Sequence, residues 1–272
     1  FSGKLLHQAG FPAPEHREVS TFEEAKEVAE FFGYPVVVKP TDLERGEGVS
    51  VDVDTSTLEI AFEHACRCSP SHRVLVERQI EGTCHRLFIA EGKLLYAVKR
   101  LPIGVYADGL SSVMALVEKE YNLQLKLPPW KRSGIQLLDD LAQETLVALG
   151  LSPKNIPEVG TFVPLRRIET TAWGGVSQDV TNSIHADNVE LGIIASDLFG
   201  LGVAGVDIMS SDITQPWHYN GAAINEINFA PLLGGGEVSN RHMDEYINRI
   251  LVNQGRIPIH VYEECPNSVK QA

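Results

Sequence analysis

Between Thr21 and Gly33, Phe22, Ala25, Val28, Ala29 and Phe32 follow the three-and-four spacing of one helical face. Thr21 and Glu24 form a capping box at its start, and Gly33 stops it. The period then changes. Tyr34–Lys39 is an apolar run closed by a lysine and reads as a strand. A loop holding Gly46 and Gly48 follows, and a second strand is expected over Val49–Val53. A helix around Leu58–Cys66 precedes three strand patterns, "HRVLVERQI", "CHRLFIAEG" and "KLLYAVKRLP". The last two are joined by a tight turn at Glu91–Gly92.

Beyond Asp108–Gly109 the chain starts a new pattern. Helices are predicted over Ser111–Tyr121 and Ile135–Gly150, the second with Leu138, Leu141, Ala142, Thr145 and Leu149 on one face. The polar stretch "NLQLKLPPWKRSG" connects them. A strand over Thr161–Arg167, a helix over Asn188–Gly200, strands in "VAGVDIMS" and "AAINEINFAP", and a helix near Met243–Gln254 complete the series. The expected architecture is α+β: two lobes, 1–109 and 110–272, with antiparallel pairing and a shared cleft.

Composition narrows the partners. A chain of 272 residues with 43% hydrophobic and 22% charged residues is globular and large enough for a substantial core. Lys+Arg of 23 against Asp+Glu of 36 leaves −13, which argues against nucleic acid or an anionic membrane as the main partner. Basic residues beside glycine loops therefore stand out. Cys66, Cys68, Cys84 and Cys265 make neither a CxxC pair nor a Cys/His metal spacing, so a reducing cytoplasm is expected. Neither a signal peptide nor an apolar run near ~18 residues occurs. The chain opens on Phe1 and "SGKLLHQAG", the tail of a helical pattern, so flanking domains of a longer protein are expected.

Lys39 at the end of "YPVVVK" is either a strand end snorkelling into water or a cation aimed at an anion. Gly46 and Gly48 favour the second, since glycine lets backbone N–H groups approach a phosphate, but the residues leave both readings open. Asp207 sits in an apolar strand; Glu226 and Asn228, two apart, project to one face of another. Buried acids need compensation, and a hard cation bound through oxygen would supply it; water-facing strand positions are the plainer account. Glu77 ends an apolar strand as either a hinge marker or a solvated end, and Arg86 and Arg100 read as surface cations or anion contacts. His185 reads as a helix cap. Neither Cys84 nor the nine histidines carry a nucleophile signature.

In combination and in this order, the motifs resemble the ATP-grasp family of carboxylate–amine ligases. They are "LLHQAGFPAP", "FGYPVVVKPTDLERGEGVSV", "VLVERQIEG", "HRLFIAEGKLLYAVKRLP", "GGVSQDVTNSIHADN", "VAGVDIM" and "INEINFAP". The sequence looks most like the ATP-grasp module of the cyanophycin synthetases, whose skeleton the bifunctional glutathione synthetases and N-acetylglutaminylglutamine synthetases share. The resemblance implies an ATP-grasp fold, with ATP and Mg2+ as cofactors. It also implies amide formation through an acylphosphate, from a small-molecule or peptide carboxylate and an amino-acid amine, with homo-oligomerisation possible. A non-catalytic nucleotide-binding module is the competing class.

Residue by residue, the resemblance places Lys39 on ATP phosphates and Arg45, Gly46 and Gly48 in the loop closing over them. Glu77, Arg78 and Ile80 match the adenine-reading hinge, largely through backbone groups, and Cys84 stands at the ribose contact. Asp207, Glu226 and Asn228 match the magnesium ligands, and Arg86 and Arg100 match the basic residues of the acylphosphate region. Three departures stand out. Cys84 replaces the usual Asp or Glu, "TTAWGG" (Thr170–Gly175) replaces an Asn-Leu-Ser-Thr-Gly-Gly stretch, and "LKLPPWKRS" replaces a basic glycine-rich one. A further phosphate-contacting lysine would fall upstream of Phe1.

Overall fold

In the computed structural model, the described residues are 2–43, 46–129, 132, 134–168, 175–229, 231, 233 and 236–251. A short helix, α1 (Ser2–Gln8), leads into a four-stranded antiparallel sheet of order β1-β4-β2-β3: β1 (His16–Val19), β4 (Val74–Arg78), β2 (Val36–Pro40) and β3 (Ser50–Val53). Helices α2 (Phe22–Phe32) and α3 (Leu58–Cys68) cover one side of it. The cap predicted for α2 is present, with the Thr21 hydroxyl accepting from Glu24 N–H at 3.2 Å. Along β2 the period-two pattern sends Val36 and Val38, both 0% exposed, into the core with Ala25, Ala29 and Phe62. Val37 and Lys39 consequently take the opposite face.

A five-stranded antiparallel sheet has the order β11-β10-β5-β6-β9: β11 (Ala223–Asn228), β10 (Val203–Ser210), β5 (Thr83–Ala90), β6 (Lys93–Pro102) and β9 (Gly175–Asp179). Leu87, Ile89, Val206 and Ile208 on its back face pack with Leu191 and Ala195 of α6 (Ala186–Leu198). Its other face bears the polar residues considered below. A third unit pairs β7 (Gly104–Tyr106) with β8 (Phe162–Pro164) under α4 (Val113–Leu125) and α5 (Asp140–Ala148). Three further helices are α7 (Trp217–Asn220), α8 (Glu237–Arg241) and α9 (Met243–Ile250). Among the described residues no helix is long and apolar enough to cross a membrane.

The antiparallel α+β expectation holds, but the sheets do not divide at residue 109. β5 and β6 join β10 and β11 across that boundary, so the chain passes from one sheet to the other at residues 79–82. At this crossing Gly82 has φ +118°, and a Cβ there would lie 2.2 Å from the carbonyl carbon of Ser210. Only glycine lets the two segments touch. Strands β1, β7 and β9 escape the hydrophobic pattern because they are short and mostly half-exposed or exposed. Helix α5 starts at Asp140, since the Asp139 carboxylate accepts from Ala142 N–H at 2.9 Å and caps it there.

Candidate active site

The site is assembled by strand register. β10 runs between β5 and β11, and places Asp207 opposite Arg86 on one side and Glu226 on the other. A register shift between Asp207 and Ile208 leaves Asn225 bulged and keeps Glu226 aligned with the acid. Alternation along β5 puts Arg86 on the polar face and His85 on the apolar one. Arg100 of β6 reaches the same acid from one strand farther along the sheet.

Asp207 is 1% exposed, and both its oxygens are occupied. Arg86 donates from Nε to Oδ1 at 2.7 Å and from Nη2 to Oδ2 at 2.6 Å, while Arg100 Nη1 lies 3.4 Å from Oδ2. Burial opposes the Arg86 charge. The hydrogen bonds and charge of Asp207 outweigh it, with smaller help from Cys84 and Glu226, and raise the guanidinium pKa. In the orientation that satisfies its neighbours, the Asn228 amide donates to Glu226 Oε1 at 3.1 Å and accepts from Arg86 Nη2 at 3.1 Å. The expectation that both acids are buried is thus corrected. Glu226 is exposed, and guanidinium groups compensate Asp207.

Lys39 does not snorkel alone. Its Nζ lies 2.9 Å from Oε2 of Glu77, whose side chain is 9% exposed; Glu77 is therefore not a solvated strand end. Gly46 and Gly48 both have positive φ, and a Cβ on Gly48 would meet Pro40 Cγ at 2.7 Å. Arg45 lies outside the described residues, as does most of "TTAWGG". The exposed Arg78 side chain pairs with Glu15 at 3.0 Å, and Ile80 is half-buried. Cys84 is 4% exposed and is the second residue of the strand that carries Arg86. His185 caps α6, accepting from Asp187 N–H at 3.2 Å.

Arg86 and Arg100 line a cavity of about 960 Å³. Its other charged walls were not read from the sequence. Lys119 and Glu120 come from α4, and Asp179 of β9 pairs with Arg241 of α8 at 3.3 Å. The signal available was "SQDVT", where Asp179 accepts from Thr181 N–H and Oγ1 at 3.0 and 2.6 Å. A short polar side chain answering its own backbone marks such a turn. Charges on α4 carry no motif, and only the fold brings them to the cavity.

The donor set of Asp207, Glu226 and Asn228 is all oxygen and suits a hard cation that leaves positions for water and phosphate. Asp207 Oδ1 has one lone pair engaged by Arg86 and another remaining, whereas Oδ2 accepts from both Arg86 and Arg100. Among the described residues no cluster of three His, Cys, Asp or Glu side chains forms a metal cage.

Comparison with known proteins shows what the chain is similar to. The family profile described as "Carbamoyl-phosphate synthase L chain, ATP binding domain" matches residues 2–87. The cyanophycin synthetase of Nostoc sp. is 30% identical over 236 residues, covering 84% of this chain and 25% of that protein. The glutathione biosynthesis bifunctional protein GshAB of Streptococcus agalactiae is 30% identical over 240 residues, covering 85% and 31%. The chain thus spans about a quarter to a third of the length of these relatives. A bifunctional glutathione synthetase from Pasteurella multocida superposes with a TM-score of 0.60 at 24% identity, over 91% of this chain and 36% of that one.

Proposed function

From the membership of this chain in the ATP-grasp ligase superfamily, we propose that it is the ATP-dependent module of a carboxylate–amine ligase, cyanophycin-synthetase-like in its chemistry. A substrate carboxylate attacks the γ-phosphate of ATP, releasing ADP and giving an acylphosphate. An amine then displaces phosphate and the amide forms. The observation that carries this reading is the Arg86–Asp207–Arg100 cluster, whose arginines line a large cavity, with Glu226 and Asn228 beside it.

Phosphoryl transfer asks the protein for positioning and charge neutralisation more than for covalent work. Arg86 and Arg100 are held by Asp207 as a fixed cationic wall where carboxylate and phosphate oxygens would meet. Lys39, paired with Glu77, is the proposed contact to the triphosphate, and the loop holding Arg45, Gly46 and Gly48 its proposed cover. The end of β4 at Glu77 and Arg78, continued by Ile80 in the crossing, is the proposed adenine contact, through backbone groups, and Cys84 the proposed ribose neighbour. Asp207, Glu226 and Asn228 would hold Mg2+, which supplies neutralisation of phosphate charge. Amino acids or peptides fit the cavity's mixed lining of Lys119, Glu120, Asp179 and Arg241. Cysteine usage without disulfide spacing supports a reducing cytoplasm as the setting.

The test is magnesium-dependent ADP release by the full-length protein, with pools of amino acids and dipeptides. Release that requires both a carboxylate and an amine pool is expected. Nucleotide binding without any release would instead favour the non-catalytic reading, which the thiol at Cys84 supports.

A further inference from the structure

One carboxylate ties together three segments that belong to different parts of the fold. The Asp52 N–H donates to Gln79 Oε1 at 2.7 Å, Asp52 Oδ1 accepts from Gln79 Nε2 at 2.6 Å, and Asp52 Oδ2 accepts from Arg167 Nη2 at 3.2 Å. Asp52 lies on β3, the strand leaving the glycine loop. Gln79 lies in the crossing between the two large sheets, and Arg167 follows β8 in the third unit.

The backbone at Asp52 is itself unusual. Its φ is +54°, a left-handed conformation that a non-glycine residue seldom adopts inside a strand. The β2–β3 register also shifts between Val36 and Val38. A non-glycine side chain kept at such a position motivates a search for what that side chain does. Here it reaches both the crossing and the far unit.

We infer that Asp52 is a positioning residue that latches the nucleotide-side sheet to the unit bearing Arg167. Through Gln79 it also fixes the crossing that the proposed function assigns to adenine. What is positioned rests on that reading; the three-way contact does not. The Asp52 and Arg167 side chains are 50% and 54% exposed, so their pair is weak and screened by salt. Weakness suits a contact that must open to admit nucleotide and close again, since a strong pair would hold the cleft shut. A surface ion pair of no consequence is the competing account.

The experiment uses the full-length protein, its Arg167→Gln and Asp52→Asn variants, and the double variant. Binding of the non-hydrolysable analogue AMPPNP with magnesium is measured by calorimetry. Each single variant is expected to weaken binding about threefold, and the double variant to be no weaker than the poorer single. Losses that multiply, or no loss, would overturn the latch. Hydrogen exchange in the nucleotide-free protein is the second arm. Arg167→Gln should speed exchange in both 50–53 and 79–82, while unchanged rates in both segments also overturn it. If the parent protein binds no AMPPNP, the proposed function fails, and the exchange result still decides the latch.

Discussion

Arg86 meets Asp207 through two parallel hydrogen bonds, at 2.7 and 2.6 Å, across paired strands of the central sheet. A bidentate pair this buried is a poor source of net stability, yet removing one partner strands the other. Asp207→Asn should therefore cost about 3–5 kcal/mol in urea denaturation and abolish ADP release. Adding Arg86→Gln to it should recover part of the stability and none of the turnover. A double variant as unstable as Asp207→Asn would show that the pair does not account for the loss.

Glu226 should separate function from folding more cleanly. It is exposed, and its partner is the Asn228 amide, so Glu226→Gln should change the melting temperature little. Magnesium-dependent turnover should fall by at least about tenfold, equivalent to ~1.4 kcal/mol, because a site with few anionic ligands loses one. Parental rates of ADP release at limiting magnesium would remove Glu226 from the proposed ligand set.

Lys39→Met keeps the apolar stem and deletes the charge. Since Lys39 is paired with the buried Glu77, the change should weaken ATP binding by about 1.5–3 kcal/mol and also destabilise the fold. Glu77→Gln in the same chain should restore melting temperature without restoring affinity. Restoration of both would mean that Lys39 acts only on Glu77.

Much of this site was legible because strand alternation is a strict period. Glu226 and Asn228 share a face, and Lys39 leaves the core-facing set of Val36 and Val38, as two-residue spacing requires. What alternation does not encode is which strands pair. The compensation of Asp207 by Arg86, 121 residues away in sequence, depends on β5 lying beside β10. Asp52 reaching Arg167 depends on a left-handed backbone position that no hydrophobic pattern marks. The sheet membership of β5 and β6 has the same origin. Residues 83–102 read as continuing the first lobe because they follow it in the chain, and only long-range pairing moves them to the second sheet.

His85, on the apolar face of β5, is 3% exposed, and its Nδ1 has no hydrogen-bond partner. Burial, aided by Lys99 and opposed by backbone groups of Thr83 and Ile208 and by Asp212, lowers its pKa from 6.5 to about 4. The folded state therefore disfavours the proton. Its contribution is present above the unfolded value and is lost as pH falls from 6.5 towards 4. The loss should amount to about 3 kcal/mol. His85→Phe should flatten the stability profile across that window. An unchanged slope in urea titrations at pH 4.5, 5.5 and 6.5 (roughly evenly spaced across the window) would exclude His85 as the titrating group.

Cys84 offers the sharpest test of where the nucleotide lies. A carboxylate accepts charge-assisted hydrogen bonds from a ribose diol, whereas a thiol is a weak donor and weak acceptor. If residue 84 neighbours the ribose, Cys84→Asp should strengthen ATP binding about tenfold, or ~1.4 kcal/mol. The gain should be smaller for 2′-deoxy-ATP, which offers one hydroxyl fewer. The structure supplies a rival fate for the new acid. Cys84 is 4% exposed and close enough to Arg86 to bear on its charge, so an aspartate there can compete with Asp207 for the guanidinium. In that case affinity for both nucleotides stays level while turnover falls, because Arg86 is drawn away from Asp207. Calorimetric titration of ATP and 2′-deoxy-ATP into both proteins, read beside ADP release, tells the two apart. The ribose contact predicts a nucleotide-dependent gain with turnover retained; level affinities with turnover lost would move the nucleotide away from Cys84.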